Sequence, residues 1–569
     1  MSDKKGGGSG GAGKIISLVL IAALIGLGLW IVLRQGGKDA ADKPTPGMVV
    51  TPPKADPGAA TDDEGGLVDA RSEVPRLPPA GANTPKGDTL DIELSKYAGY
   101  SGLIVANGGL APAEGSVLQK KYGLKLNIRL SEEEDWGKLA TGKLAASATT
   151  VDVLAVYGRQ LGAVVPALIG FSRGADGLVV RSSIKRINQL KGRVLVTSQF
   201  NEADFFARFL AREAGLPLNV LAGKDATPDP EKVNLVFAED AEQAGKIFLK
   251  DVQGGSEQLA GCVTWAPFTD EVVKQSGGKA HALVTNTNLL IVADVLLVNK
   301  GLAEQQPKLV GALVDGLLEG NRMVRENPEA HAEVIAKAFG WQRAEVGGQL
   351  AKVHLANLPE NLAFFSGAID AAGSFGGIYQ SALMAYGNEL IKNPVSEDKL
   401  ADLSHLQALE KSGAYKDQKI LIAPIKSGGS KTLEGDPLLA KDIRFFFEPN
   451  SAKLDLTGEG KATNEENLAA IKKLLQVSPG STVLLRGHVD DAMVAEFRKL
   501  GGEAQVQKMA LSAVQLSKDR AEEVRKHLTQ KFKLEPKRVD IFGAGWNEPV
   551  SKADQDLNRR VEVHWFTLE

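Results

Sequence analysis

Cysteine is almost absent: Cys262 is the single one in 569 residues. One thiol excludes an internal disulfide, a Cys-x-x-Cys redox motif and an all-cysteine metal site, and it leaves the redox compartment unread. No His lies close to it in sequence, so it is expected to be a buried strand residue. Charge of one sign is lacking too. Lys and Arg total 67 against 70 for Asp and Glu, a net charge of −3, so there is no general basic field and nucleic acid is not expected as a partner. No nucleophile elbow, His-Glu-x-x-His helix or paired-carboxylate pattern is present, and no enzyme is expected. His488 and Asp490 stand close together, but two ligands without a third make a poor metal site, and neither metal nor cofactor is expected. The glycine tract at residues 6–13 imitates a phosphate-binding loop, with Gly8, four residues and then Gly13-Lys14. No Ser or Thr follows Lys14 and no strand precedes the tract, which excludes nucleotide binding there.

Residues 15–33 (IISLVLIAALIGLGLWIVL) run for nineteen positions without a charge, about the ~20 needed to cross a bilayer as a helix. A cleaved signal peptide would carry only ~7–15 apolar residues and then a small-x-small site. Here Arg34-Gln35-Gly36-Gly37-Lys38 follows, and no cysteine is there to carry a lipid. We therefore expect a cytoplasmic tail at 1–14 and one uncleaved transmembrane helix at 15–34. Lys4, Lys5 and Lys14 before the span outnumber Arg34 and Lys38 after it, which favours a cytoplasmic N-terminus, and Trp30 suits the outer interface.

Residues 35–88 hold nine prolines among Gly, Ala, Asp and Lys. Such a stretch buries too little apolar surface to fold by itself and reads as an extended connection. Residues 395–440, polar and glycine-rich, read as a second connection. The length asks for three or four domains at ~100–200 residues each, and 43% hydrophobic with 24% charged residues puts most of the mass in water.

Between 89 and 394 short apolar runs alternate with amphipathic stretches. Strands are predicted at 102–105, 125–129, 151–156, 177–180, 193–197, 234–237, 262–264 and 295–298. A helix is predicted at 202–214, with Phe205, Phe206, Phe209 and Leu210 on one face. The alternation implies two lobes of open α/β sheet. From 441 to 569 the pattern predicts strands at 443–447, 482–486, 538–543 and 560–566 with helices at 464–475 and 507–531, a βαβαββ domain.

Several motifs of this last segment resemble the OmpA-like peptidoglycan-binding family. Ile443-Arg444-Phe445-Phe446-Phe447 with Asn450-Ser451-Ala452-Lys453-Leu454 is similar to its opening, and Arg486-Gly487-His488-Val489-Asp490 to its Gly-His-Thr-Asp turn. Leu516-Ser517-Lys518-Asp519-Arg520-Ala521 resembles its Leu-Ser-x-x-Arg-Ala helix. Gly543-Ala544-Gly545, Pro549 and Asn558-Arg559-Arg560-Val561-Glu562 resemble its close. The resemblance implies that Asp490 and Arg520 hold diaminopimelate, which offers an ammonium and a carboxylate, with Arg gripping the carboxylate through two parallel hydrogen bonds. Asn558, Arg559 and Arg560 would line the pocket or brace it. Peptidoglycan as partner would put the bulk of the chain outside the inner membrane, in the periplasm. Two departures stand out: residues 492–508 lengthen the segment after Asp490, and Ala513 replaces an Asn common in the family.

Residues 89–394 resemble the periplasmic solute-binding proteins of ABC importers, in the nitrate, sulfonate and thiamine-precursor branch. The resemblance lies in Asp176-Gly177-Leu178-Val179-Val180-Arg181, Ile187-Asn188-Gln189-Leu190-Lys191-Gly192, Cys262-Val263-Thr264-Trp265-Ala266-Pro267-Phe268 and Asn327-Pro328-Glu329. It implies a two-lobed fold with a ligand between lobes, at strand ends and helix N-termini. Ser198, Gln199 and Asn201 sit between a strand and a helix, Trp265 leaves a strand, and Ser172 and Arg173 are further candidates. Two functions compete. One is a tethered receptor for a small anion or organic solute. The other is an envelope adaptor whose lobes bind partner proteins.

Overall fold

The computed structural model describes residues 66–569 apart from 132–134, 224–225, 288, 370–372, 423–438, 446, 448–450, 459, 478–480 and 567–569. The expected transmembrane helix, the first part of the Pro-rich connection and Asn450 lie outside these residues. Among the described residues no helix is long and apolar enough to cross a membrane.

The first lobe opens with β1 (Thr89–Ser95), β2 (Lys125–Ser131), β3 (Ala146–Thr150) and β4 (Ala163–Ser172). The chain then builds the second lobe from β5 (Gly177–Arg181), β6 (Val194–Ser198), β7 (Leu218–Val220), β8 (Val233–Ala238), β9 (Gly261–Thr264) and β10 (Ala280–Thr285). It returns through β11 (Ala293–Asn299) and β12 (Val353–Leu355) to the first. Each lobe is a six-stranded sheet, ordered β12-β4-β11-β3-β1-β2 and β10-β5-β9-β6-β8-β7. β1 runs parallel to β2 and β3, while β11 lies antiparallel between β3 and β4. Central strands such as β8 (VNLVFA) and β11 (ADVLLVN) are buried at every position, as expected of sheets covered on both faces.

Two strand predictions fail. Residues 102–105 lie in helix α1 (Ser101–Asn107) and residues 151–156 in helix α3 (Val151–Tyr157), and both helices are buried on all sides. A short helix apolar all round has no polar stripe, so its sequence has no 3.6-residue period to show. Glycine also misleads at 102. A side chain there would collide with Asn321 of α5 (Pro307–Glu326), and one at Gly320 would collide with the Gly102 carbonyl. The two helices cross backbone to backbone, which outweighs the ~1 kcal/mol that helical glycine costs. Between them, Asp135 caps α2 (Trp136–Ala140), accepting a hydrogen bond from the Lys138 N–H at 3.0 Å.

Helix α4 (Glu202–Glu213) follows β6 and is capped by Asn201, with Phe205, Phe206, Phe209 and Leu210 all buried. Helix α6 (Phe375–Leu390) packs on α3 of the first lobe and α4 of the second. Its Tyr386 hydroxyl donates to the Asn201 carbonyl at 3.2 Å, and its ring lies 5.1 Å from the Arg208 guanidinium, itself paired with buried Asp204. One apolar cluster runs through both lobes.

The described parts of both connections lie against the folded body. From residue 66 the Pro-rich stretch lies on both lobes, held by hydrogen bonds such as Gly81 N–H to the Ala140 carbonyl and Asn83 N–H to Asn299 Oδ1. Prolines 75, 78 and 79 fit because an extended strand that folds onto existing surface needs few donors of its own. Residues 395–422 hold a helix, Ser404–Lys411, with Leu406 buried, and end where buried Glu360 accepts the Leu421 and Ile422 N–H groups at 2.8 and 2.9 Å.

The C-terminal segment runs β13 (Leu439–Ile443), α7 (Lys461–Val477), β14 (Thr482–Gly487), α8 (Val494–Lys531), β15 (Val539–Gly543) and β16 (Val561–Phe566), in sheet order β13-β16-β14-β15. This is the expected βαβαββ order. The first strand lies earlier than predicted, because pairing with β16 ends at Ile443 opposite Val561. The aromatic run that looked most strand-like leaves the sheet, with Phe445 buried and Phe447 bridging to Leu454. Helix α8 starts well before 507 and takes in the inserted residues, broken at Gly501 and Gly502, where Gly502 has φ +63°.

Candidate functional site

A cavity of about 870 Å³ opens between the lobes, lined by Tyr100, Thr149, Thr150 and Tyr157 from the first and by Gln199, Asn201, Glu202 and Trp265 from the second. Residues 149–153 span the end of β3 and the start of α3, and residues 199–202 lead into α4; of these, the sequence singles out Gln199 and Asn201. Gln199, Asn201 and Trp265 line this cavity, and Ser198 does not. Ser198 and Asn201 also serve each other, since Asn201 Nδ2 donates to Ser198 Oγ and Asn201 Oδ1 accepts the Asp204 N–H at 3.3 Å.

Ser172 and Arg173 do not line this cavity. They sit where β4 passes to β5, at the crossing between lobes. Ser172 Oγ donates to Asp176, Asn286 Nδ2 donates to the same carboxylate at 3.0 Å, and Arg173 Nε donates to the Thr287 carbonyl at 2.6 Å. Burial pushes the Asp176 carboxyl up to about 6, against the pull of Ser172 and Asn286. This buried polar knot fixes the crossing between the lobes, and a buried network of that kind must be satisfied throughout to be stable. Sequence spacing could not separate crossing from cleft, because both follow a strand.

Asp152, which sequence reasoning passed over, is wholly buried at the start of α3, and burial pushes its carboxyl up to about 7, with Asp176 and Asp204 adding to the rise against Thr150. Cys262 lies buried in β9, and burial raises its thiol well above the usual value.

In the C-terminal segment, Arg520 of α8 is 8% exposed, its guanidinium 4.9 Å from the Phe447 ring centroid, and its Nε reaches the Ser451 carbonyl at 3.4 Å. Among the described residues no hydrogen bond engages its terminal nitrogens, and none of its atoms pairs with Asp490 within 4.0 Å. Asp490 instead meets Arg559, with Nη1 at 3.2 Å from Oδ2. Burial and the neighbouring Arg559 charge lower the affinity of Arg520 for its proton, and Asp490 opposes them. Two cations and one anion thus face one another, with only the terminal nitrogens of Arg520 left over. Asn558 and Arg560 brace rather than line. Asn558 Oδ1 accepts the Val550 and Ser551 N–H groups at 2.9 and 3.1 Å, and Arg560 is buried against Glu562.

Residues 446–562 match the OmpA family. Within this OmpA-family segment the glycine of the Gly-His turn has a packing reason. A side chain on Gly487 would collide with the Ser517 carbonyl, so α8 crosses β14 at backbone distance and carries Arg520 to the strand end that holds Asp490. The inserted helical turn before Gly501 places Phe497 on Trp546, ring centroids 6.3 Å apart and 29° between planes.

For the two-lobed body, solved structures show likeness at low identity. The periplasmic aliphatic sulphonate binding protein SsuA from Escherichia coli is 16% identical, covering 57% of this chain and 100% of its own, with a TM-score of 0.42. The periplasmic nitrate-binding protein NrtA from Synechocystis PCC 6803 is 13% identical, covering 58% and 90%, with a TM-score of 0.41. No curated protein matches the sequence.

Proposed function

We propose that this chain binds peptidoglycan non-covalently through its C-terminal domain and captures a small ligand in the cleft between its lobes. It acts by binding, not by catalysis. Residues 15–33 anchor it in the inner membrane, the N-terminus lies in the cytoplasm and the bulk lies in the periplasm. The observation that carries the wall-binding reading is that the terminal nitrogens of Arg520 are left over while Asp490 pairs with Arg559. A diaminopimelate carboxylate can take two parallel hydrogen bonds from Arg520, and its ammonium can take the Asp490 carboxylate in exchange for Arg559. Sedimentation with purified sacculi tests this: Asp490→Ala and Arg520→Ala each leave the protein in the supernatant, and co-sedimentation unchanged in both would sink the reading.

The ligand reading of the cleft rests on its volume and on the convergence of Gln199, Asn201 and Trp265. A melting-point rise with a bound solute tests it, since a ligand stabilises the state it binds. A second reading, an envelope adaptor without a small ligand, draws on one observation. Helix α6 and residues 66–83 both tie lobe to lobe, which suits a platform of fixed shape.

A further inference from the structure

Residues 66–83 pass from one lobe to the other along the cleft. On the second lobe the Val68 N–H donates to the Phe237 carbonyl of β8 at 2.8 Å, forming an antiparallel bridge. Gln199 then grips the main chain of Arg71 with both ends of its amide. The Arg71 N–H donates to Oε1 at 2.9 Å, and Nε2 donates to the Arg71 carbonyl at 2.9 Å. After a bend at Ser72 and Glu73 the chain reaches the first lobe, where Gln160 repeats the grip. It accepts the Leu77 N–H at 2.9 Å and donates to the Pro75 carbonyl at 3.2 Å. Val68, Asp69, Arg71, Pro75 and Leu77 wall the cavity.

Each of these hydrogen bonds ends on a main-chain atom of the segment. A carboxamide offers one acceptor and a donor side by side, the complement of a peptide N–H and C=O, so Gln160 and Gln199 each do what a neighbouring strand does in β-strand addition. Ala70, Val74 and Leu77 are half-buried against the core shared by the lobes, which adds a preference for apolar side chains three or four positions apart.

We propose that the cleft is a site for an extended peptide, occupied in cis by residues 68–77, and that a peptide in trans enters only when this strap is released. The proposal rests on the reading of the cleft as a ligand site and names the class of ligand. Joined to the body at residue 78 onward, the strap holds its site at an effective concentration on the order of mM, which shuts out a free peptide of similar intrinsic affinity.

The probe is a fluorescent synthetic peptide of residues 66–80 (GLVDARSEVPRLPPA), with fluorescence anisotropy measured on the full chain. Arg71→Pro deletes the N–H that Gln199 accepts, at a position in no helix or strand. Binding should tighten by about tenfold or more over the unaltered chain once the cis competitor is weakened, and adding Gln199→Leu should abolish it. No binding to the Arg71→Pro chain, or binding indifferent to Gln199→Leu, overturns the proposal. Hydrogen exchange on the unaltered chain gives a reading that needs no variant. The Val68, Arg71 and Leu77 amides should be protected, and excess peptide should expose all three; fast exchange without peptide overturns the strap. A small solute that raises the melting point while the peptide fails to bind sinks the peptide class and leaves the cleft reading standing. No response to either sinks the cleft reading itself.

Discussion

Arg520→Lys keeps the positive charge at the wall-binding pocket and removes only the planar fork. In the structure the Arg520 guanidinium is 8% exposed, lies over the Phe447 ring and spends Nε on the Ser451 carbonyl, leaving its terminal nitrogens for a ligand. A lysine ammonium presents a point charge on a flexible, shorter side chain, so it can replace one of two parallel hydrogen bonds to a carboxylate but not both. A charge-assisted hydrogen bond is worth about 1.5–3 kcal/mol, and losing one weakens binding by about 10–150-fold. Calorimetric titration with a diaminopimelate-containing stem peptide measures this directly. The same variant should melt within about 1 kcal/mol of the unaltered protein, because the buried stem of the side chain is kept. Equal affinity for Lys and Arg at 520 would show that the pocket reads charge alone and would refute the two-bond grip.

Glu360 is fully buried and accepts hydrogen bonds from His354 and from the Leu421, Ile422 and Asn357 N–H groups. Burial alone would raise its carboxyl, but His354 and these N–H groups outweigh it and hold it below the usual range. Its stabilising contribution is therefore full above the unfolded value and lost as pH falls through the folded one; Glu360→Ala should cost about 3–5 kcal/mol in denaturant unfolding at pH 7. Asp152 runs the other way. Its carboxyl, pushed up to about 7, binds protons better folded than unfolded, so stability falls as pH rises towards 7. Asp152→Asn should then stabilise at pH 8, by on the order of 4 kcal/mol at most, and far less at pH 5, read from melting curves. Gly487→Ala should push α8 off β14 and impair sacculus binding together with thermal stability, whereas Ala513→Asn, on the same helix, should leave the fold intact as judged by circular dichroism.

The sequence carried the local and the motif-borne features. Apolar runs placed β2, β5, β6, β8, β9 and β11, and the strand–helix pattern from 441 to 569 placed the βαβαββ domain, with Asp490 just past β14 and Arg520 in α8. These survive because each is set by a few neighbouring residues. What the tertiary structure alone decided depends on partners far apart along the chain. Helices α1 and α3 show no period because burial surrounds them. Ser172 went to the crossing between lobes because its partner Asp176 is bound by Asn286, 110 residues on. The strap was read as a free connection because its composition cannot fold alone, yet Gln160 and Gln199, 85 and 128 residues away, supply the hydrogen bonds it lacks. A polar residue in a sequence shows that it can donate and accept; only the folded chain shows to whom.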